Sequence, residues 1–219
     1  MSGGAVLLAA GAGSRLGGKP KCLLELDGIP LILRQLSALE KAGVDQVVVV
    51  LGYYAELIEP VIRNSPIKIV VNPNPENGQA SSVRLGLQNL SGAVDSVIIA
   101  LADQPLIDSE DLSSLIAAYT RRGKKSMVVP RKTTTEGEKK PGNPVMIDAA
   151  LRDQWLAGDA EMTSRNWRQK YPDTVFWFEP LNDHWFIDID EETDIVNFEA
   201  RTGRVLQWPD TVSSVFGNS

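Results

Sequence analysis

Runs that are apolar on successive residues constrain this chain more than any other feature. Val47-Val48-Val49-Val50-Leu51 and Val97-Ile98-Ile99-Ala100-Leu101 have no polar face. A strand of that kind is buried on both sides, the condition of a parallel sheet covered by helices. Similar strand-like runs lie at 5–10, 68–72 and 126–130, with helix-like segments between strands at 30–42, 55–63, 81–90 and 109–119. The alternation predicts an α/β fold whose mainly parallel, twisted sheet is joined by right-handed crossovers. Ligands of such folds sit at the carboxyl ends of strands, here the loops after Ala10, Leu51 and Ala102.

The first of those loops carries the strongest functional signal. Ala10 runs into Gly11-Ala12-Gly13-Ser14-Arg15-Leu16-Gly17-Gly18-Lys19-Pro20-Lys21. Glycines let backbone N–H groups approach phosphate oxygens, and Arg15, Lys19 and Lys21 can neutralise charge on them. The segment therefore reads as a cradle for a nucleoside triphosphate. It departs from the dinucleotide fingerprint because the third glycine comes one residue late and no acidic residue closes the strand ending at Leu51. It departs from a P-loop because Pro20 follows Lys19 where a hydroxyl residue is required.

With 219 residues the chain fits one domain. The expected division is a single domain over 1–203, with a nucleotide-binding half at about 1–105, an acceptor-binding half at about 106–203 and a tail at 204–219. The formal charge of -6 argues against a nucleic-acid surface. One cysteine rules out an internal disulfide framework. No leader or membrane span is legible, so a cytoplasmic location with no membrane partner is expected. The second half reads as a polar loop or lid at 133–142, strands at 144–147, 174–178 and 186–190, and helices at 149–156, 164–170 and 192–201. Little periodicity is visible after residue 203, which suggests a loosely docked tail.

Phosphates bound in this way call for a divalent cation, and a hard cation calls for carboxylates. Asp103 ends the apolar strand at 97–102 and is the first candidate; its alternative is to cap the helix near Ser109, although Asp108 and Ser109 are better placed for that. Asp188 and Asp190 alternate in a short run, so both carboxylates share one face and could hold the cation with Asp103. Gly78, Ser81 and Ser82 lie where a base could approach, or Ser81 is simply a helix cap, and Arg84 reaches either a phosphate or the surface. His184, the sole histidine, reads as structural, and Cys22 as a packing residue.

Taken together, Leu8-Ala9-Ala10-Gly11-Ala12-Gly13-Ser14-Arg15-Leu16-Gly17, Pro20-Lys21, Leu23-Leu24, the segment 78–87, Leu101-Ala102-Asp103-Gln104-Pro105, Pro141-Gly142-Asn143-Pro144 and Ile187-Asp188-Ile189-Asp190 resemble the nucleotidyltransferases related to molybdenum cofactor biosynthesis. Among these the chain looks most like the cytidylyltransferases that act on molybdopterin. The resemblance implies a Rossmann-like three-layer α/β/α fold of the nucleotide-diphospho-sugar transferase type. It implies transfer of CMP from CTP to the terminal phosphate of molybdopterin, with release of pyrophosphate and Mg²⁺ as cofactor. Arg15, Lys21 and Asp103 would then be catalytic. Leu8, Ala9, Ala10, Gly11, Gly13, Ser14, Gly78, Ser81 and Ser82 would join them in binding nucleotide. Gln104, Pro105, Gly142, Asn143 and Pro144 would face the acceptor, Asp103, Asp188 and Asp190 the metal, and a molybdenum hydroxylase would receive the product. The chain departs from the pattern at Asn143, where relatives often carry histidine, which leaves the acceptor open. Guanylyl transfer, cytidylyl transfer to a sugar or alditol phosphate, and a nucleotide-binding regulator are the alternatives.

Overall fold

The computed structural model describes residues 2–92, 94–158 and 162–217. Among these the strands are β1 (Gly3–Ala9), β2 (Glu25–Leu26), β3 (Ile29–Pro30), β4 (Gln46–Leu51), β5 (Lys68–Val71), β6 (Ser96–Leu101), β7 (Met127–Thr133), β8 (Lys139–Pro141), β9 (Val145–Asp148), β10 (Val175–Phe178) and β11 (Leu206–Gln207). The helices are α1 (Leu31–Lys41), α2 (Ala55–Ile62), α3 (Gln79–Asn89), α4 (Ser109–Thr120), α5 (Ala149–Ala157), α6 (Ser164–Lys170), α7 (Glu192–Thr202) and α8 (Asp210–Phe216).

The main sheet has the order β10-β7-β9-β6-β1-β4-β5, with β8 paired to β7 outside that path. All neighbours along the path are parallel except β9, which runs antiparallel to β6 and β7. The expected mainly parallel α/β sheet, helices on both faces, is what forms. The reason is visible in β1. Ala5, Leu7 and Ala9 enter one apolar cluster with Ile32 and Leu36 of α1, Ile58 of α2 and Leu115 of α4. Val6 and Leu8 enter another, with Val83 and Leu87 of α3 and Trp155 of α5. Every residue of β1 from Ala5 to Ala9 is thus buried, because the period-2 alternation of the strand meets a helical layer on each side. Gly86 of α3 permits that approach: a Cβ there would come within 2.3 Å of Val6.

Three expectations need correction. The polar stretch 133–142 is not a free loop but the end of a hairpin, with β8 pairing Lys139–Pro141 to Arg131–Thr133 of β7. Residues 186–190 form no strand; Phe186 closes a short 3-10 turn and 187–190 pair with no sheet. Residues after 203 are docked: β11 joins β2 and β3 in a small antiparallel sheet, and Val212 of α8 is 1% exposed. That sheet covers a third cluster of Leu16, Leu24, Leu26, Leu31, Ile189, Phe198 and Leu206. A two-residue strand has too few positions to show a period, so the order of this segment comes from partners far away in the sequence.

Candidate active site

Parallel pairing places the site. β1 lies between β4 and β6, with Ala9 opposite Leu51 and Leu8 opposite Leu101. The loops that leave these three strands therefore emerge side by side. Antiparallel β9 opposes Val145 to Ile99 of β6, so Asn143 and Pro144 arrive at the same edge from the other direction. A cavity of about 730 Å³ opens there, within the roughly 300–1,000 Å³ usual for small-molecule sites.

Leu8, Ala9, Ala10, Gly11, Lys21, Gly78, Ser82, Asp103, Asn143, Asp188 and Asp190 all line it, residues distant in sequence and brought together by the fold. The other expected residues lie elsewhere. Gly13 and Ser14 shape the loop. The chain turns back there through φ 58° at Gly13, whose Cβ would meet the Lys19 carbonyl oxygen at 2.0 Å. Lys19 is buried, with its ammonium over the Trp208 ring instead of at the loop mouth. Ser81 lines a neighbouring groove, and it is not a cap, because α3 begins at Gln79. Asn72 Nδ2 donates to Ser81 Oγ at 2.9 Å and to Ser82 Oγ at 3.0 Å. Arg84 donates to the carbonyls of Trp155 and Leu156 at 2.9 and 2.6 Å, which ends α5 and removes it from any phosphate.

Of the residues expected to face an acceptor, Gln104, Pro105, Gly142 and Pro144 are buried. Gln104 donates Nε2 to the carbonyls of Asn143 (3.1 Å) and Trp185 (3.3 Å), so it braces the wall behind Asn143. At Gly142 a Cβ would strike the Trp185 carbonyl at 2.6 Å. Asn143 alone of this group faces the cavity.

Four charged side chains form a chain, of which Lys21, Asp103 and Asp190 line the cavity and Arg15 lies outside its lining. Lys21 Nζ donates to Asp103 Oδ2 at 2.5 Å and to Asp190 Oδ1 at 2.7 Å, and Arg15 donates to Asp190 Oδ2 at 2.9 Å. Burial would lower the Lys21 ammonium, but Asp103 and Asp190 hold it above its ordinary value. Burial pushes Asp190 up, yet Lys21 and Arg15 outweigh it and bring the carboxyl below its ordinary value. Asp188 goes the other way: burial and the charges of Asp103 and Asp190 raise it, outweighing the opposing charge of Lys140. Asp188 and Asp190 flank Ile189, which is fully buried, so both turn to the cavity although no strand aligns them. The Ile189 N–H donates to the Asp103 carbonyl at 3.2 Å and fixes this segment beside Asp103. At its far end the Asp194 carboxylate accepts from the Asp190 and Glu191 N–H groups at 2.8 and 2.9 Å.

These residues fit a divalent cation. Asp103 Oδ1 is buried without a hydrogen-bond partner among the described residues, a lone pair that a cation would satisfy. Asp103, Asp188 and Asp190 all line the cavity, where a hard cation would take the rest of its shell from phosphate oxygens. A tighter trio exists at Asp108, Asp111 and His184, with ligand atoms within 4.8 Å. Its groups are engaged with one another and with neighbours, Asn182 Nδ2 donating to Asp111 Oδ1 at 2.7 Å. Asp108 caps α4 by accepting from Glu110 and Asp111 N–H at 2.8 and 3.0 Å, and Asp111 Oδ2 lies 2.8 Å from His184 Nδ1. The cap is thus Asp108, leaving Asp103 to the cavity, and His184 is held by Asp111. Burial pushes the Cys22 thiol up to about 12, so it stays protonated and unreactive.

The sequence did not single out Tyr54 or Arg165, both of which line the cavity. The Tyr54 hydroxyl, with one proton to give, lies 2.6 Å from the Ala12 carbonyl oxygen and 2.5 Å from that of Gly18, across the two ends of the glycine loop. Its signal was position, two residues after Gly52 at a strand's carboxyl end. Arg165 left no signal, because residues 149–170 carry no motif.

The matching family model is that of the MobA-like NTP transferase domain, over residues 5–175. The chain belongs to this family. It is 33% identical over 158 residues to nicotine blue oxidoreductase of Paenarthrobacter nicotinovorans, covering 71% of this chain and 76% of that one. Among solved structures it superposes on a Methanothermobacter nucleotidyl transferase with TM-score 0.70 and 23% identity, covering 91% of this chain and 97% of the other. It also superposes on Rv0371C of Mycobacterium tuberculosis, in complex with manganese, with TM-score 0.66 and 18% identity over 90% and 97% of the two chains. At these identities the superpositions speak for a shared fold.

Proposed function

We propose that this protein moves a nucleoside monophosphate from a nucleoside triphosphate to a phosphate of a small-molecule acceptor, with release of pyrophosphate. The observation that carries the reading is Lys21 between Asp103 and Asp190, at the open end of a glycine loop in a cavity of nucleotide size. The backbone of 10–13 receives phosphate oxygens. Lys21 and Arg15 stabilise charge that builds on the α-phosphorus oxygens and the leaving pyrophosphate. When bound, a divalent cation, with Mg²⁺ favoured, held by Asp103 with Asp188 or Asp190, supplies further neutralisation of those oxygens. An acceptor phosphate is ionised at neutral pH, so attack needs no histidine base and no covalent enzyme intermediate.

CTP and molybdopterin are the pair that the sequence resemblance favours, with a sugar or alditol phosphate as the acceptor of equal chemical standing. Asn143 at the cavity wall can both donate and accept a hydrogen bond, so it suits either. The relative named as an oxidoreductase makes hydride transfer the rival reading. Product analysis separates them. The protein is incubated with Mg²⁺ and each of CTP, GTP, UTP and ATP, with molybdopterin or a panel of sugar and alditol phosphates, and in parallel with NADH and NADPH together with a reducible quinonoid dye as the hydride acceptor. A nucleotide-linked acceptor together with pyrophosphate is the expected result. Oxidation of the nicotinamide cofactors with no nucleotide-linked product would replace this reading by the rival.

A further inference from the structure

Two arginines that the transfer chemistry above leaves unused lie beside its cavity. We infer that Arg165 and Arg168 form a second oxyanion site, which takes an anionic group of the acceptor other than the phosphate that attacks. The inference rests on the transferase reading. Arg165 and Arg168 are three residues apart on α6 and so lie on one side of it. Both line a cavity of about 180 Å³, together with Gln79, Asn143 and Ser164. Asn143, Gln79 and Arg165 also line the main cavity, so the small one opens off it at the acceptor side. It is smaller than the roughly 300 Å³ at which pockets begin to hold whole small molecules. It therefore holds a group, not a molecule.

Charge selects the kind of group. The described lining contains two guanidinium groups and no carboxylate. Burial, and then the charge of Arg165, lower Arg168 from its ordinary value, so the pair stands unfavourably close in a half-enclosed place. An oxyanion between them relieves that repulsion and matches the planar donor fork of each arginine. The main cavity has the opposite balance, with Glu76, Asp103, Asp188 and Asp190 against Lys21 and Arg165. An acceptor with two separated anions would thus direct one to the cation-assisted transfer site and the other to the arginines. A neutral sugar carrying one phosphate uses half of this surface.

The test is calorimetric titration of inorganic phosphate, and separately of acetate, into the full chain saturated with Mg²⁺ and α,β-methylene-CTP, which cannot turn over. Wild type is expected to bind at least one of the two anions, and which one distinguishes a phosphate from a carboxylate as the natural group. Arg165→Gln/Arg168→Gln should bind it about tenfold more weakly, or worse, with unchanged affinity for the analogue. Arg165→Lys/Arg168→Lys should recover much of the binding, and equal melting temperatures would show that charge, not folding, was lost. Equal anion affinity in wild type and the Gln variant, or no anion binding in wild type, would overturn the inference. So would a parallel loss of analogue affinity, which would put the arginines on the nucleotide. Should this analogue and the corresponding analogues of GTP, UTP and ATP all fail to bind wild type, the transferase reading falls, while the same anion titrations without them still decide this site.

Discussion

Lys21 is the residue on which the site's charge balance turns. It is the ammonium that keeps Asp103 and Asp190 together, at 2.5 and 2.7 Å. Lys21→Ala should lower turnover by about 10²–10³-fold, in line with the loss of one group that stabilises transition-state charge. Steady-state rates beside a thermal melt would check it, since a comparable rate in a folded variant would remove Lys21 from the chemistry. Gly13 tests the loop itself. Its φ of 58° and the 2.0 Å approach of a Cβ to Lys19 backbone leave no room for alanine. Gly13→Ala should lose roughly 1–3 kcal/mol in denaturant unfolding, with weakened nucleotide binding. Cys22 offers a simpler check. With its thiol pushed up to about 12 and the residue buried, it should resist iodoacetamide at pH 8 in the native protein and react on unfolding.

Elements are held to the site by a few polar anchors. Arg84 reaches from α3 to the last carbonyls of α5, so Arg84→Met should cost about 1–3 kcal/mol and raise hydrogen exchange at residues 154–158. Asp183 ties β7 to α7, with Lys132 at 3.1 Å and Arg201 at 2.5 Å. The Lys132 hydrogen bond, against burial and helped by Arg201, holds its carboxyl below the ordinary value. A depressed carboxyl contributes stability that is full above the unfolded pKa near 3.9 and is lost as pH falls through the folded value. The side chain is 46% exposed, so the contribution is screened to about 0.5–1 kcal/mol. Asp183→Asn should show that loss at pH 7 and converge on wild type in urea titrations only as pH falls through the depressed folded value.

At the scale of the whole molecule, what could be read from sequence was whatever repeats locally. Strands β1, β4 and β6 announce themselves by unbroken apolar runs, and their carboxyl ends fix where Gly11 and Asp103 meet. Long-range pairings announce nothing. The antiparallel insertion of β9, the two-residue strands of the small sheet, and the docking of α8 all depend on partners more than a hundred residues away in some cases, as with Leu206 opposite Leu26. The same limit applied at the site. Asp103, Asp188 and Asp190 were visible as acids at strand-like ends, but Lys21 between two of them, and Arg165 on the same cavity as Asn143, are products of tertiary placement. The edge contact of Phe216 with Tyr54, rings 5.9 Å apart, links the last helix to the glycine loop. Phe216→Ala should therefore weaken nucleotide binding severalfold from outside the cavity, measurable by calorimetry, by freeing Tyr54 from its place across Ala12 and Gly18.

The most direct test of the account is Mg²⁺-dependent pyrophosphate release from CTP and acceptor by wild type and by Asp103→Asn. The variant keeps the shape of the side chain and removes the charge that would face a cation, with Lys21 still near. The account predicts release in wild type that chelation abolishes, and a fall of about 10³-fold or more in a variant with an unchanged melting profile. Near-normal release by a folded Asp103→Asn would contradict it.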